Sequence, residues 1–325
     1  MHRLRGGDAG ALKAAADLLQ RGELVAVPTE TVYGLAAHAR DEVAVRSIFT
    51  VKGRPLLDPL IVHFASLEQV SQVCEVSSAS QLLADRFWPG PLTLVLPRKA
   101  DCPIPDLVSA GKPTLAVRIP AHPLFRQLLQ ESQLPLAAPS ANPFGYISPT
   151  RPEHVEDSLK TGVAAVLDGG PCEHGVESTI IEVTAEGRVR LLRPGPLSLE
   201  SILALPGIEE AGAEPLDDTA PVAPGMLKSH YRPSKGILLF TGSPTNAAPG
   251  DAVVFLARPE NPAAHQFWLS ERGDEGEIAH NLFHLLRQLD GMAEIARVYV
   301  EMPESNAGVL KAVRDRLNRA ATPPD

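Results

Sequence analysis

Up to about residue 200 the chain alternates between two apolar periods. Short apolar runs bounded by turn residues predict strands at 24–27, 60–64, 93–96, 114–119, 134–138, 164–167, 178–183 and 189–192. Between several of them, apolar residues recur every three or four positions, as on a helix. One such helix spans 11–20 and stops near Gly22, where a glycine takes the left-handed cap. Asp41 N-caps another that runs through Val45, Ile48 and Phe49. Strands interleaved with helices predict an α/β fold around a sizeable mixed sheet.

From 206 to 235 the periodicity disappears and Pro, Gly, Glu and Asp dominate, as in a linker. A smaller pattern follows, with strands at 237–240, 252–257 and 297–300 and helices at 277–289 and 309–319. Ile278, Leu282, Leu285 and Leu289 share one face of the first of these helices, which is expected to pack on a small sheet. The expected division is a domain at 1–205, a linker at 206–235 and a second α/β domain at 236–325. A length of 325 residues agrees with two domains.

Composition narrows the function classes. With 44% apolar and 21% charged residues the chain reads as soluble and globular. No run of 18 apolar residues and no signal-peptide pattern occurs, so a cytoplasmic address is expected and no membrane partner. The three cysteines, Cys74, Cys102 and Cys172, form no C-x-x-C pair, which argues against a disulfide framework or a thiolate zinc site. A formal charge of −9 argues against a broad nucleic-acid-binding face, so no strong direct binding of RNA or DNA is expected.

The common phosphate-binding and hydrolase signatures are absent: no G-x-x-x-x-G-K-[ST], no G-x-G-x-x-G after a strand, no H-E-x-x-H and no G-x-S-x-G. In their place, short polar segments sit beside predicted strands. PTETVYGL follows the run ending at Val27 and carries Thr31. KGRPLLDPLIVH sets Lys52 and Arg54 two apart, on one side if the segment is extended, with Pro55 and Pro59 stiffening the way to His63. Two cations on a stiff loop suit a polyphosphate, and a solvated basic loop is the bland alternative. APSAN ends an apolar run and offers Ala138, Ser140 and Asn142 for close backbone approach and polar contacts, or else an ordinary turn. GYISPT brings Ser148, VESTIIEV brings Ser178, and LLRPGP sets Arg193 at a strand end. Arg118 lies inside the core-like run TLAVRIP. A guanidinium there requires an internal carboxylate or a ligand's. His63 has a similar ambiguity, since a histidine in such an apolar run is more often a hydrogen-bonded core residue than a catalyst.

Taken in order, PTETVYGL, KGRP…DPLIVH, FWPGPLTLVL, TLAVRIPAHP, APSAN…SPT, DGG…GVESTIIEV and LLRPGP resemble the YrdC-type threonylcarbamoyl-AMP synthases from about residue 10 to 200. APGMLKSHYRP resembles the linker of that family's longer form. The resemblance implies a YrdC-like twisted mixed sheet with flanking helices and a smaller C-terminal Rossmann-like domain. It implies that L-threonine, bicarbonate and ATP, with Mg²⁺ carried largely by the phosphates, give threonylcarbamoyl-adenylate and pyrophosphate for tRNA modification. The product would be handed to the enzyme that transfers the group to tRNA. It also places threonine at Thr31, His63, Arg118, Ala138 and Ser178. ATP would lie at Lys52, Arg54, Asp58, Thr114, Ser140, Asn142, Ser148, Arg193 and Tyr231, with Lys52 and Arg54 catalytic and no metal ligand supplied by the protein.

Asp58 departs from the Asn of many relatives, and its carboxylate would face phosphate, Mg²⁺, ribose or base. The linker would act as a passive spacer or as a lid over a hydrolysable anhydride. Two other readings are a YrdC-like module that binds a nucleotide or RNA without chemistry, and a carbamoyl-transfer relative of the hydrogenase-maturation proteins. The latter carry zinc-finger-like modules, for which this chain lacks the cysteine pairs.

Overall fold

A computed structural model describes residues 1–212, 223–225, 230–244 and 247–322. Its first sheet has ten strands: β1 (His2–Arg5), β2 (Val25–Val27), β3 (Gly34–His38), β4 (Ile61–His63), β5 (Leu92–Pro97), β6 (Thr114–Arg118), β7 (Leu136–Ala137), β8 (Ala165–Asp168), β9 (Thr179–Val183) and β10 (Val189–Arg193). Their order across the sheet is β1-β8-β2-β3-β7-β4-β6-β5-β9-β10, with parallel and antiparallel neighbours mixed. The expected strands all form. β7 is shorter than its apolar run, because Pro135 and Pro139 at its flanks have no N–H to donate. β1 and β3 were not anticipated: the first is a charged edge strand, and the second is built from the small residues of GLAAH.

The helix Ala11–Gln20 ends as expected, with Gly22 at a positive φ of 80°. Asp41 caps Glu42–Lys52 by accepting from the backbone N–H groups of Val43 and Ala44. That helix runs to Lys52, and Gly53 closes it in the left-handed region. Lys52 and Arg54 therefore lie on a helix end and its turn, not on an extended segment, yet both side chains are buried.

The alternation of strand side chains separates two environments. Val62, Leu94, Val117 and Ile181 belong to the main core. Their neighbours Ile61, Val95, Ala116 and Ile180 face the other way, where they cluster with Leu192 and Ala223. The same alternation puts His63 and Arg118 on that second face.

A second sheet follows, made of β11 (Ile237–Phe240), β12 (Ala252–Ala257), β13 (Gln266–Ser270) and β14 (Val298–Glu301), all parallel in the order β11-β14-β12-β13. β13 was not anticipated. The helix Glu275–Gly291 buries Ile278, Leu282 and Leu289 as its periodicity predicts, and Gly308–Ala321 buries Leu310, Val313 and Leu317. Of the segment 206–235, residues 213–222 and 226–229 lie outside the described residues. Its start is packed, with Ile208 in the main core and Val189 donating to Glu209 O.

The two sheets share an apolar contact: Val32, Ile147 and Val176 join the core beneath the second sheet. Arg287 donates to the carbonyls of Ile147, Ser148 and His154, and its guanidinium carbon sits 4.9 Å from the Tyr146 ring centroid. His154 and His284 stack with centroids 5.3 Å apart. Among the described residues no helix is long and apolar enough to cross a membrane.

His154 Nδ1 accepts from the Thr150 N–H, so Nε2 carries the proton towards His284 Nδ1 at 3.1 Å. Burial, with Arg287 nearby, pushes the His154 imidazole down to about 3, and burial takes His63 down to about 3 as well. Unfolded histidine titrates near 6.5, so between the two values the unfolded chain binds more protons. The stability from these neutral rings is complete above about pH 6.5 and is lost as the pH falls. Thermal midpoints from pH 8 to 5 are expected to drop below pH 6.5, and less steeply in His154→Gln. Equal slopes for the variant and the parent would contradict this account of the contact.

Candidate active site

The second face of the first sheet carries a cleft lined by strand residues Ile61, His63 and Arg118, by the loops after β2 and β7, and by linker residues. The loop after β2 is PTETVY. Thr29 Oγ1 accepts from the N–H groups of Thr31 and Val32 and donates to Val32 O, which folds the turn on itself. Thr31 Oγ1, 2.7 Å from Thr29 Oγ1, accepts from Arg118 Nη1 at 3.0 Å.

Arg118 is the hub of this end of the cleft. Its Nη2 donates to Glu30 Oε1 at 2.6 Å and its Nε to Gly90 O at 3.1 Å, with both ionic side chains 4% exposed. The internal carboxylate that a buried guanidinium requires is therefore Glu30. Burial pushes the Glu30 carboxyl up, but the charge and hydrogen bond of Arg118 outweigh this and hold it below the usual range. His63 beside it is neutral, and its Nδ1 has no protein partner. Ala138 closes the wall, its N–H bonded to Ile61 O.

The other end holds the remaining cations. Lys52 Nζ donates to the carbonyls of Ser140, at 2.6 Å, and Asn142. Arg54 donates to the carbonyls of Asp58 and Pro59, and its Nη2 lies 2.9 Å from Asp58 Oδ2. The Asp58 oxygens have no other partner. We regard the contact as an ion pair of poor hydrogen-bond geometry, because the charges still attract at 2.9 Å in a buried setting. Burial lowers Lys52 well below its ordinary value, with Arg54 adding to the effect, and burial also lowers Arg54. Asp58 is raised by burial against the pull of Arg54.

Arg193 donates to Ser178 O and Ser178 Oγ, and its Nη1 reaches Pro224 O of the linker at 3.1 Å. The backbone can pass this closely because Gly195 lacks a side chain: a Cβ there would fall 2.2 Å from the Thr179 nitrogen. Gly225 plays the same part on the linker, with φ 76° and room for no Cβ beside the Tyr231 hydroxyl. Tyr231 has a φ of 62° and is 1% exposed, and its ring stacks on Phe283 at 5.5 Å.

Of the residues expected from sequence, Thr31, Arg54, His63, Arg118, Ala138, Ser140, Ser178, Arg193 and Tyr231 line the cleft directly. Lys52 and Asp58 stand one contact behind, on Ser140 and Arg54. Ser148 donates to Glu177 Oε1 at 2.5 Å, and Glu177 lines the cleft. The amide of Asn142 donates to Pro143 O and Tyr146 O within its own turn. Thr114 opens β6, at the opposite end of that strand from Arg118. The carboxylates Glu30 and Glu177 were not expected at the site, and neither was His230.

The family models match nearly the whole chain. A model described as "Telomere recombination" covers residues 17–195, and one described as "Threonylcarbamoyl-AMP synthase, C-terminal domain" covers 197–322. The chain belongs to the threonylcarbamoyl-AMP synthase family. A Pyrococcus abyssi threonylcarbamoyl-AMP synthase is 40% identical over 95% of this chain and 94% of its own. A Bacillus subtilis relative of the same name is 38% identical over 94% and 92%. The crystal structure of P. abyssi Sua5 complexed with L-threonine superposes with a TM-score of 0.87 at 37% identity, covering 98% of this chain and 97% of that one. Both sheets thus belong to the family architecture.

Proposed function

We infer that this protein is a threonylcarbamoyl-AMP synthase, joining L-threonine, bicarbonate and ATP into threonylcarbamoyl-adenylate and pyrophosphate. The reading rests on one observation: Lys52, Arg54, Arg118 and Arg193 are buried around one cleft, and Lys52 and Arg193 have only neutral acceptors among the described residues. Such a cleft suits a polyanion. In class the enzyme is a nucleotidyltransferase acting in the cytoplasm, and its labile product passes to the enzyme that modifies tRNA.

Threonine lies at the Thr31, His63, Arg118, Ala138 and Ser178 end, with its carboxylate on the donors of Arg118 that Glu30 and Thr31 leave free. Its amine adds to the carbon of bicarbonate and water leaves, giving a carbamate. A carbamate oxygen then attacks the α-phosphorus, the bond to the β-phosphate breaks, and pyrophosphate departs. Lys52, Arg54 and Arg193 stabilise the charge that moves onto the phosphates, and Ser140, Ser148, Asn142, Thr114 and Tyr231 complete the nucleotide end. Catalysis consists of orientation and fixed charge, with no covalent enzyme intermediate. Mg²⁺ arrives with ATP as part of the substrate. Among the described residues no three His, Cys, Asp or Glu side chains gather to hold a metal.

Within the division into residues 1–205, 206–235 and 236–325, the middle segment serves as a lid. Its Pro224, Gly225, His230 and Tyr231 line a cleft whose free volume is about 50 Å³, well below the roughly 300–1,000 Å³ of small-molecule sites. Nucleotide admission therefore requires this segment to move, and its return excludes water from the mixed anhydride.

The purified enzyme with ATP, Mg²⁺, bicarbonate and threonine, serine or glycine in turn is expected to give a threonine- and bicarbonate-dependent adenylate by mass spectrometry. Pyrophosphate should form in step with it, and Tyr231→Ala should form or retain less of the adduct. ATP binding without adduct under any amino acid would move the protein to the binding-module reading, and an unaltered Tyr231→Ala would remove the lid. Asp58 neutralises Arg54, so Asp58→Asn is expected to lower the apparent KM for ATP by about threefold or more, since a freed guanidinium binds phosphate more strongly. An unchanged or raised KM would contradict that role.

A further inference from the structure

Glu177 is a buried carboxylate on the cleft wall, and what holds it comes from the other domain. Arg316, on the helix Gly308–Ala321, is 1% exposed and donates from Nε to Glu177 Oε2 at 2.7 Å. The second oxygen of Glu177 accepts from Ser148 Oγ at 2.5 Å. Arg316 Nη2 donates to Pro194 O at 3.0 Å, directly after Arg193, and the guanidinium carbon lies 5.1 Å from the ring centroid of Tyr231. Asp315 supports it, accepting from Arg316 Nη1 at 2.6 Å and from Arg319 Nε at 3.0 Å.

We propose that Arg316 is a positioning residue for the nucleotide end of the cleft, fixing the Ser148 hydroxyl through Glu177 and the Tyr231 ring through its guanidinium face. One side chain of the C-terminal domain thereby touches three segments of the catalytic wall. A contact meant only to join two domains has no reason to carry a charge pair so far from water, where desolvation is costly. The chemistry of the chain of bonds is directional. Glu177 receives the Ser148 proton, so the buried Ser148 oxygen, one contact behind the cleft wall, is left to accept any further hydrogen bond. It therefore suits a donor on the nucleoside, a ribose hydroxyl or the adenine amino group, in preference to a phosphate oxygen. Without Arg316, Glu177 would lose the cation bonded to it, and its hold on Ser148 would change.

The proposal rests on the reading of this cleft as the ATP site, and the test separates the two. Steady-state kinetics are measured for the parent, Arg316→Gln, Glu177→Gln and the double variant. Arg316→Gln is expected to raise the KM for ATP about tenfold or more, because a charge-assisted hydrogen bond is lost, while the KM for threonine moves by less than about threefold. The double variant is expected to be no worse than Arg316→Gln, since both changes break one chain of contacts. Equal rises in both KM values, or additive losses, would make Arg316 a structural residue only and overturn the proposal. Should Arg316→Gln not fold, Arg316→Lys keeps the charge but cannot hold both Glu177 and Pro194 O. A rise in the KM for ATP of about threefold or more, non-additive with Glu177→Gln, would then support the proposal, and no rise or an additive one would overturn it. If the parent binds ATP but forms no adduct, the synthase reading fails alone, and the same cycle read as calorimetric Kd for ATP still decides Arg316. A parent that does not bind ATP overturns both.

Discussion

Charge burial is the constraint on which this structure depends. Among the described residues the buried Lys and Arg side chains are Lys52, Arg54, Arg118, Arg193 and Arg316, and all five stand in or against one cleft. Three have carboxylates within 3 Å: Asp58, Glu30 and Glu177. The other two are satisfied by carbonyl and hydroxyl oxygens, which accept hydrogen bonds without cancelling charge. The molecule has a formal charge of −9 and yet places its buried cations together. Such a concentration is costly without an anion and favourable with one. The cost is offset by the surrounding core, in which the strands carrying Arg118 and Arg193 and the strand that follows Ser178 bury their opposite faces.

The carboxylates divide the cleft. Glu30 locks Arg118 against Thr31 at one end, so that guanidinium is pre-oriented, with little rotamer freedom left to lose on binding. Asp58 holds Arg54 at the other end, and Glu177 ties the cleft wall to the C-terminal domain. The second sheet is thus more than an appendage. It shares an apolar core with Val32, Ile147 and Val176, grips the 147–154 segment with Arg287, and sends Arg316 beneath the linker tyrosine.

Much of this was legible in the sequence, for identifiable reasons. The helix 11–20 and the strand 252–257 follow from their apolar patterns, and most of the nine expected site residues that line the cleft do so because their segments sit on or beside strands, while Arg54 follows a helix end and Tyr231 belongs to the linker. The demand of Arg118 for an anion was legible, whereas the identity of that anion was not, since Glu30 and Arg118 are 88 residues apart. Arg316 left no signal: it stands in RDRLNR, which reads as a solvated helix face, and only the fold brings it to Glu177, 139 residues away. The extended reading of Lys52 and Arg54 failed because Gly53 extends a helix into a left-handed cap. Strand β1 escaped notice because charged residues dominate it, and β13 because only three contiguous apolar residues, Phe267, Trp268 and Leu269, mark it.

The central claim is that the two ends of one cationic cleft receive two substrates at once. The most direct measurement is a crystal structure of the full-length protein with L-threonine and a non-hydrolysable ATP analogue. The account predicts threonine carboxylate on Arg118 with the Glu30 pair intact, and the triphosphate on Lys52, Arg54 and Arg193, with the α-phosphorus facing the threonine amine. Nucleotide bound away from these three cations, or threonine displacing Glu30 from Arg118, would contradict it.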